Sequence, residues 1–495
     1  MMRTGRNTDG VESAMAAEAP APAGVPSVSW IPFPKSVETR TGTLTLNENT
    51  RIVATDPTLA PLAQILSKEI EALTGKRLAV ADEKPRAGDI VLGIDKKMKG
   101  EAYEIEVSKQ ATVRAGLYAS VAAGTVTLLQ ALGQEKDAVT LPCVMVRDEP
   151  KASYRGLLVD LARTWHTIEN VKEMVVLCRW YKINYLQLHF TDDQSFTFPS
   201  TAYPKLKTPG RCYTVEQLRD LEAFARDRGV IILPELDMPG HASAMVQQMP
   251  EVFANNPAGG NTICPGRENV YKAMDTLIGE MTDIFRTTPY FHIGADEVNM
   301  APWNNCNDCR AYMAGNKIAD AMELYRHFIV RMNEIVKKRG KKMIVWEGFH
   351  KEGKTKIPLD VTVMVFESLY QVAPDLLDQG YPVINTSWQP LYVVNGRNWP
   401  PEHIYGWNLY RWESCWENSK AYGKPIVVKP NCLVLGAQMC AWEQPENVEL
   451  PSLRPRVPAM SERIWNPDAG RSFADFDQRF RVCDRLLDKL IQGAR

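Results

Sequence analysis

Residues 155–189 read RGLLVDLARTWHTIENVKEMVVLCRWYKINYLQLH. Gly156-Leu157-Leu158-Val159-Asp160 is a short apolar run closed by a carboxylate, the pattern of a strand buried on both faces. Glu169 to Tyr181 carries its apolar residues at helical spacing. Asn184-Tyr185-Leu186-Gln187-Leu188-His189 is a second strand. A strand, a crossover helix and a strand make the unit that joins parallel neighbours. The rhythm continues. Thr214-Val215-Glu216-Gln217 has capping-box spacing and opens a helix to Arg228, followed by a strand at Val230–Glu235. Further strands fit Tyr290–Gly294, Met343–Trp346, Val361–Phe366, Val383–Thr386 and Val434–Cys440. Eight such strands, with helices between several of them, predict an α/β fold: a (β/α)8 TIM barrel over residues 151–495. The alternative is an open doubly wound sheet, but no Gly-rich dinucleotide turn follows the first strand.

A small α/β domain is expected before the barrel, over residues 31–150. Thr43–Leu46 and Ala102–Val107 alternate as strands do. Helices fit Ala60–Leu73, stopping before Gly75, and Leu117–Leu132, closed by Gly133. Arg147-Asp148-Glu149 and Pro150 mark the boundary. Residues 1–30 are polar, then rich in Ala and Pro (AAEAPAPAGVPS), and read as a disordered leader. They hold no secretory h-region, so the localisation is open between a cytosolic protein and a secreted or periplasmic one with a trimmed signal.

Composition excludes several classes. The chain has 495 residues, 45% hydrophobic and 24% charged, ordinary values for a globular protein of more than one domain. A net charge of −1 gives no bulk field that would draw it to nucleic acid or an anionic membrane. No apolar run approaches the roughly 20 residues of a membrane span. The ten Cys are too scattered for a disulfide scaffold. Cys306 and Cys309 form a C-x-x-C that suits a metal or a disulfide, but no second C-x-x-C and no His at finger spacing accompany it, so no metal and no cofactor are expected. The twelve Trp are more telling, because Trp at strand ends also grips the flat faces of sugars.

The chemistry concentrates at the predicted strand ends, which converge on one mouth in a barrel. In chain order these are Asp160 and Arg163; His189, Asp192 and Asp193; Glu235, Asp237 and His241; Asp296 and Glu297; Trp346 and Glu347; Glu367; Tyr392; and Trp442 with Glu443. The sharpest is His292-Ile293-Gly294-Ala295-Asp296-Glu297. A lone Asp-Glu pair is usually a solvated cap. A pair that ends a buried strand is costly unless its members do different jobs, one staying charged while the other keeps a proton. That division suits general acid cleavage of a glycosidic bond.

These segments resemble the β-N-acetylhexosaminidases of glycoside hydrolase family 20. The resemblance runs through YRGLLVDLAR (Tyr154–Arg163), LHFTDDQSF (Leu188–Phe196), PELDMPGH (Pro234–His241), HIGADE (His292–Glu297) and MSERIW (Met460–Trp465). GEAYEIEV (Gly100–Val107) and GTVTLLQAL (Gly124–Leu132) resemble the family's small domain. The resemblance implies removal of terminal β-linked GlcNAc or GalNAc from glycans, with the substrate's own acetamide oxygen as nucleophile. Glu297 would be the general acid, kept protonated by its neighbour's charge, and Asp296 the partner of the acetamide N–H. Arg163 would hold sugar hydroxyls. Asp192 and His241 would form a pair beneath the acid, supported by Asp237. Trp346 and Trp442 would be aromatic walls, and Tyr392 would contact the acetamide oxygen. Asp193 is expected to cap a loop and Arg155 to be structural.

The chain departs from the family pattern in three places. Phe366 stands where many members have Trp. Val394, with Asn395 beside it, replaces an acidic residue. Trp442-Glu443-Gln444 replaces Trp-x-Glu, so that either Glu443 reaches in or Gln444 takes over. Two other functions compete: a catalytically silent glycan-binding protein, and a retaining glycosidase whose nucleophile is Glu235 or Glu347.

Overall fold

The computed structural model describes residues 28–135, 138–256, 260–468 and 470–494. The leader expected over residues 1–30 falls outside the described residues up to position 27. At its end, Trp30 is already buried and donates its indole N–H to the Thr127 carbonyl at 2.9 Å.

Eight parallel strands close into a barrel: β1 (Tyr154–Asp160), β2 (Tyr185–His189), β3 (Ile231–Met238), β4 (Tyr290–Gly294), β5 (Lys342–Trp346), β6 (Thr362–Val365), β7 (Val383–Asn385) and β8 (Val434–Ala441). Each pairs with the next, and β8 closes on β1 with Ala441 opposite Val159. The open-sheet alternative is thereby excluded. Strands β1 and β2 are buried along their whole length, as apolar strands covered by helices must be. Helices Ile168–Trp180, Val215–Arg226, Glu268–Ile284 and Ala321–Lys338 lie among the crossovers. Thr214 and Gln217 form the predicted capping box.

The barrel lumen is packed in layers. Tyr154, Tyr185 and Tyr290 close its base, the first two stacked with centroids 4.5 Å apart. Above them the lumen is filled by Leu158, Leu233, Ile344, Met364, Trp346, Phe366 and Cys440. A polar chain threads these layers. Tyr154 donates its hydroxyl to Gln438 Oε1 (2.7 Å), Gln438 Nε2 donates to Gln187 Oε1 (2.9 Å), and Gln187 Nε2 donates to Glu235 Oε2 (2.9 Å). Gly156 makes room for it, since a Cβ there would lie 2.4 Å from Gln438 Oε1.

The N-terminal domain is a mixed sheet ordered Ser36–Leu46, Ala138–Asp148, Tyr103–Val107, Ala111–Ala115, Ile90–Ile94, Arg51–Ala54 and Ala79–Ala81 from edge to edge. Helix Ala60–Thr74 ends at Gly75 in the left-handed region, as read from the sequence. The second helix stops earlier than expected, at Gln130, and Gly133 opens a short strand instead of closing the helix. The domain docks at the barrel base. Arg155, at the start of β1, pairs with Glu101 at 2.7 Å, and Trp465 donates to Asp148 at 3.0 Å. Arg155 is therefore structural, as its register implied. The C-terminal helix Phe473–Ala494 packs against Ala60–Thr74 and Ile168–Trp180. Among the described residues, no helix is long and apolar enough to cross a membrane.

Candidate active site

Strand register gathers the polar residues. Asp160 lies opposite His189, His189 opposite Glu235, and Glu235 opposite His292 on four successive strands. The loops that follow carry Arg163, Asp192, His241 and the Asp296-Glu297 pair. The backbone bends sharply here: His241, Ala295, Glu297, Ser368 and Glu443 all adopt positive φ (47–75°). Non-Gly residues in that region are strained, and such strain collects at functional sites. Gly294 is required for a second reason, because a Cβ there would sit 1.7 Å from Asp237 Oδ1.

Beneath the mouth lies a charged relay without solvent access. His189 bridges two acids, with Nδ1 2.8 Å from Glu235 Oε2 and Nε2 2.9 Å from Asp192 Oδ2. Trp346 Nε1 donates to the other Glu235 oxygen at 2.8 Å. Burial opposes ionisation of Glu235, yet His189 and His292 hold its carboxyl well below the ordinary range. Asp192 also takes Arg163 Nη2 at 2.7 Å and lies 3.4 Å from His241 Nδ1. Asp193 caps the neighbouring loop as expected, accepting from Ser243 N and Oγ at 2.9 and 2.6 Å.

Burial likewise disfavours the charge on Asp192, but His189, His241 and Arg163 outweigh it and hold the carboxyl well below the usual range. A carboxylate whose pKa falls on folding stabilises the fold above its unfolded pKa of about 3.9 and loses that contribution as pH drops. Asp192→Asn should therefore cost about 3–5 kcal/mol near pH 7, as for a broken buried ion pair. The stability gap to wild type should shrink below about pH 4. Urea melts of both proteins from pH 7 to pH 3 test this, and a gap independent of pH would show that Asp192 acts through shape alone.

The two acids at the mouth share one cation. His241 Nε2 lies 3.4 Å from Glu297 Oε2 and 3.9 Å from Asp296 Oδ2. Burial works against the charge on His241, but Asp192, Glu297 and the other acids hold it well above its ordinary range. The hydrogen bond from this cation keeps Glu297, whose side chain is 50% exposed, below the ordinary carboxylate range. Asp296 is instead raised, first by burial and then by Glu297 and Glu235, against the pull of His241. Asp237 is raised well above its usual value by burial and by Asp296. His241 thus draws Glu297 toward its charged form in the free site, while burial holds Asp296 toward its neutral form. Asp296 Oδ1 and Asp237 Oδ1 are buried acceptors with no hydrogen-bond donor among the described residues.

A pocket of ≈ 250 Å³ opens above these groups, lined by Arg163, Asp237, Asp296, Glu297, Phe366, Glu367, Trp388, Tyr392, Val394, Trp416, Trp442 and Glu443. Of the predicted site residues, Arg163, Asp237, Asp296, Glu297, Tyr392, Trp442 and Glu443 reach it. Asp192, His241 and Trp346 do not. Trp346, the last residue of β5, is buried and packs against Phe366 and Trp442, two residues of the lining. Trp442 stays on the wall, with the Arg163 guanidinium 4.9 Å from its ring centroid. Tyr392 stacks on Trp388 at 4.7 Å, and burial keeps its phenol protonated.

Glu443 lines the rim, 60% exposed and 3.8 Å from Arg163 Nε. Gln444 turns away and donates to the Trp442 carbonyl, and Asn395 supports the Glu443 carbonyl at 3.1 Å. Trp388 and Trp416 are pocket residues that sequence reasoning missed, and Glu367 had been read only as a strand end. Burial and the charges of Glu297 and Asp296 push Glu367 up to about 7. Glu235 and Glu347 lie outside the pocket lining. Glu347 is buried and accepts backbone N–H bonds from Ser368, Leu369 and Tyr370.

A closed parallel barrel with carboxylates and aromatic walls at its C-terminal mouth has the build of a sugar-cleaving enzyme. Residues 153–468 match the family model "Glycosyl hydrolase family 20, catalytic domain", and residues 27–149 match "Glycosyl hydrolase family 20, domain 2". The chain belongs to glycosyl hydrolase family 20 and is a glycoside hydrolase. It is 28% identical to a beta-hexosaminidase of Porphyromonas gingivalis, over 93% of this chain and 63% of that protein's length. It is 28% identical to a chitooligosaccharidolytic beta-N-acetylglucosaminidase of Ostrinia furnacalis, over 85% of this chain and 76% of the other. Its fold superposes on the exo beta-N-acetylglucosaminidase of Vibrio harveyi with a TM-score of 0.79 at 24% identity, covering 97% of this chain and 80% of that one. The beta-N-acetylhexosaminidase of Bacteroides fragilis gives 0.79 at 22% identity, with 93% and 95% covered.

Proposed function

We propose that this chain is an exo-acting β-N-acetylhexosaminidase that removes terminal non-reducing β-linked GlcNAc or GalNAc from glycans by substrate-assisted, retaining hydrolysis. The observation that carries this reading is the buried, unpaired Asp296 Oδ1 beside a half-exposed Glu297, in a pocket with room for about one sugar residue. An acceptor of this kind calls for a donor from the ligand, and an acetamide N–H supplies one. The names of the relatives agree with the reading.

In this mechanism the acetamide oxygen attacks C1 as the bond from C1 to the leaving oxygen breaks. Glu297 passes its proton to that oxygen. A positive oxazolinium forms, and Asp296 stabilises a charge that appears only as the reaction proceeds. Water then attacks C1 as the C1–O bond of the oxazolinium breaks and restores the acetamide; the water's proton goes to Glu297, and the sugar keeps its original anomeric configuration. Glu297 gains its proton on substrate binding: a bound sugar strips water from its exposed face, which disfavours the carboxylate. Tyr392, held as a phenol, offers a donor to the acetamide oxygen. The placement of Glu235 and Glu347 outside the pocket speaks against either of them as nucleophile. Hydrolysis of aryl β-GlcNAc but not of aryl β-glucoside is the expected result; cleavage of the glucoside, or of neither, would reject the reading.

Discrimination between GlcNAc and GalNAc should be weak, within roughly tenfold in kcat/KM, or about 1.4 kcal/mol. The two sugars differ only at the 4-hydroxyl. Arg163 has several N–H donors that can serve either epimer. Glu443 is a mostly solvated rim carboxylate, and strong selectivity needs a buried polar group left unpaired by the wrong sugar. Aryl glycosides of both sugars measure this directly, and a thousandfold difference would place Glu443 inside the pocket in the complex.

A further inference from the structure

Three thiols separated in sequence meet away from the pocket. Cys264, Cys306 and Cys309 are each 0% exposed, and none is disulfide-bonded. Cys264 Sγ stands 3.5 Å from Cys306 Sγ and 3.5 Å from Cys309 Sγ. A disulfide needs about 2.05 Å. Three corners of a tetrahedral zinc, with Zn–S of about 2.3 Å, need sulfurs about 3.8 Å apart; two separations here are 3.5 Å, and all three sulfurs lie within 4.8 Å of one another. A fourth donor faces the group. Asn255 Oδ1 lies 4.0 Å from Cys309 Sγ, and its amide nitrogen donates to the Thr262 carbonyl at 2.9 Å, which leaves the oxygen on the Cys309 side.

The backbone around the sulfurs is also arranged for thiolates. Cys306 caps helix Asn307–Asn316, and its Sγ takes the N–H groups of Asn256 (3.3 Å) and Cys309 (3.5 Å). Cys264-Pro265-Gly266 forms the facing turn. A Cβ on Gly266 would lie 2.5 Å from Cys309 N, so only glycine lets the two turns approach this closely. Hydrogen bonds to sulfur favour the anionic ligand form. Gly266, Arg267 and Asp308, sequence neighbours of the ligands, line an open surface cleft beside the group.

We propose that Cys264, Cys306 and Cys309 bind one zinc ion as thiolates, with Asn255 Oδ1 at the fourth corner. The thiol protons pass to solvent as the ion binds. The ion's role is to fasten two loops. Cys264 belongs to the loop after β3, which carries His241, and Cys306 and Cys309 follow β4 and the Asp296-Glu297 pair. Hydrogen bonds and an ion pair already join these loops near the thiols, among them Thr262 Oγ1 to the Asn299 carbonyl at 3.0 Å, Trp303 Nε1 to the Ile263 carbonyl at 3.1 Å and Arg267 Nε to Asp308 at 2.6 Å, and a metal would add bonds to this seam. A metal bonded to both would hold the cation and the two acids at fixed separation.

The untagged full chain, purified under reducing conditions, should carry about one zinc per chain by elemental mass spectrometry. Replacement of the ion by cobalt(II) should produce tetrahedral d–d bands and a thiolate-to-cobalt charge-transfer band. The double variant Cys306→Ser/Cys309→Ser should lose the metal and the charge-transfer band, and Asn255→Ala should keep the charge-transfer band while shifting the d–d bands. Chelation should lower the Tm of wild type and leave that of the double variant unchanged. Wild-type protein that takes up neither ion overturns the proposal, whether its mass shows the loss of two hydrogens to a disulfide or its thiols all titrate free. The wild-type cobalt spectrum decides the matter even if a variant fails to fold.

Discussion

Glu297→Gln should slow cleavage of a glycoside with a poor leaving group by about 10²–10⁴. The amide keeps the size and most of the packing of the carboxyl but has no proton to give. The loss should shrink for aryl glycosides with acidic leaving groups, which depart without protonation. The geometry adds a second expectation. His241 lies 3.4 Å from Glu297 Oε2 and loses an anionic partner in the variant, while Asp192 remains on its other nitrogen. The imidazolium should persist, and binding of the product sugar should change little. Steady-state rates across a series of substituted aryl β-GlcNAc substrates test this. Equal losses for good and poor leaving groups would remove Glu297 from the role of acid.

Asp296→Asn should lower kcat by about 10²–10³, the scale of losing one preorganised electrostatic partner of a developing charge. KM should move much less, because the charge to be stabilised is absent from the bound substrate. A thiazoline that mimics the oxazolinium should bind wild type tightly and the variant far less well. Asp296 is the acid raised by its surroundings in the free site, so part of its stabilising power appears only when a positive centre draws it into the ionised form. If the thiazoline binds both proteins alike, Asp296 does not face the acetamide.

Much of this was readable in the sequence, for a physical reason. Parallel barrel strands are covered on both sides, so they appear as apolar runs that end abruptly in charge, and β1 to β8 lie at or within a few residues of the predicted segments. Ends and facings were harder. Trp346 read as a strand end, and its burial against Phe366 and Trp442 follows only from the packing of neighbouring strands. Trp388 and Trp416 lie in the stretch between β7 and β8, built of short pieces such as Trp388–Leu391, Pro401–Gly406 and Arg411–Trp412 that carry no periodic signal. Cys264 could not be grouped with Cys306 and Cys309 because helix Glu268–Ile284 and β4 intervene. The resemblance placed His241 beneath the acid, but its reach to both Glu297 and Asp296 is seen only in the structure.

The polar chain through the lumen has a direction, and that direction bears on how Glu235 keeps its charge in a dry interior. A carboxylate can only accept, so Gln187 must present its amide nitrogen to it. The Gln187 carbonyl is then left facing Gln438, which must present its own nitrogen, and the Gln438 carbonyl faces the Tyr154 hydroxyl. Neither amide can flip without setting acceptor against acceptor. Every dipole from the barrel floor upward therefore turns its positive end toward the same anion. The core supplies Glu235 with an oriented solvation shell made of side chains, built at folding and needing no reorganisation when a sugar displaces the water above.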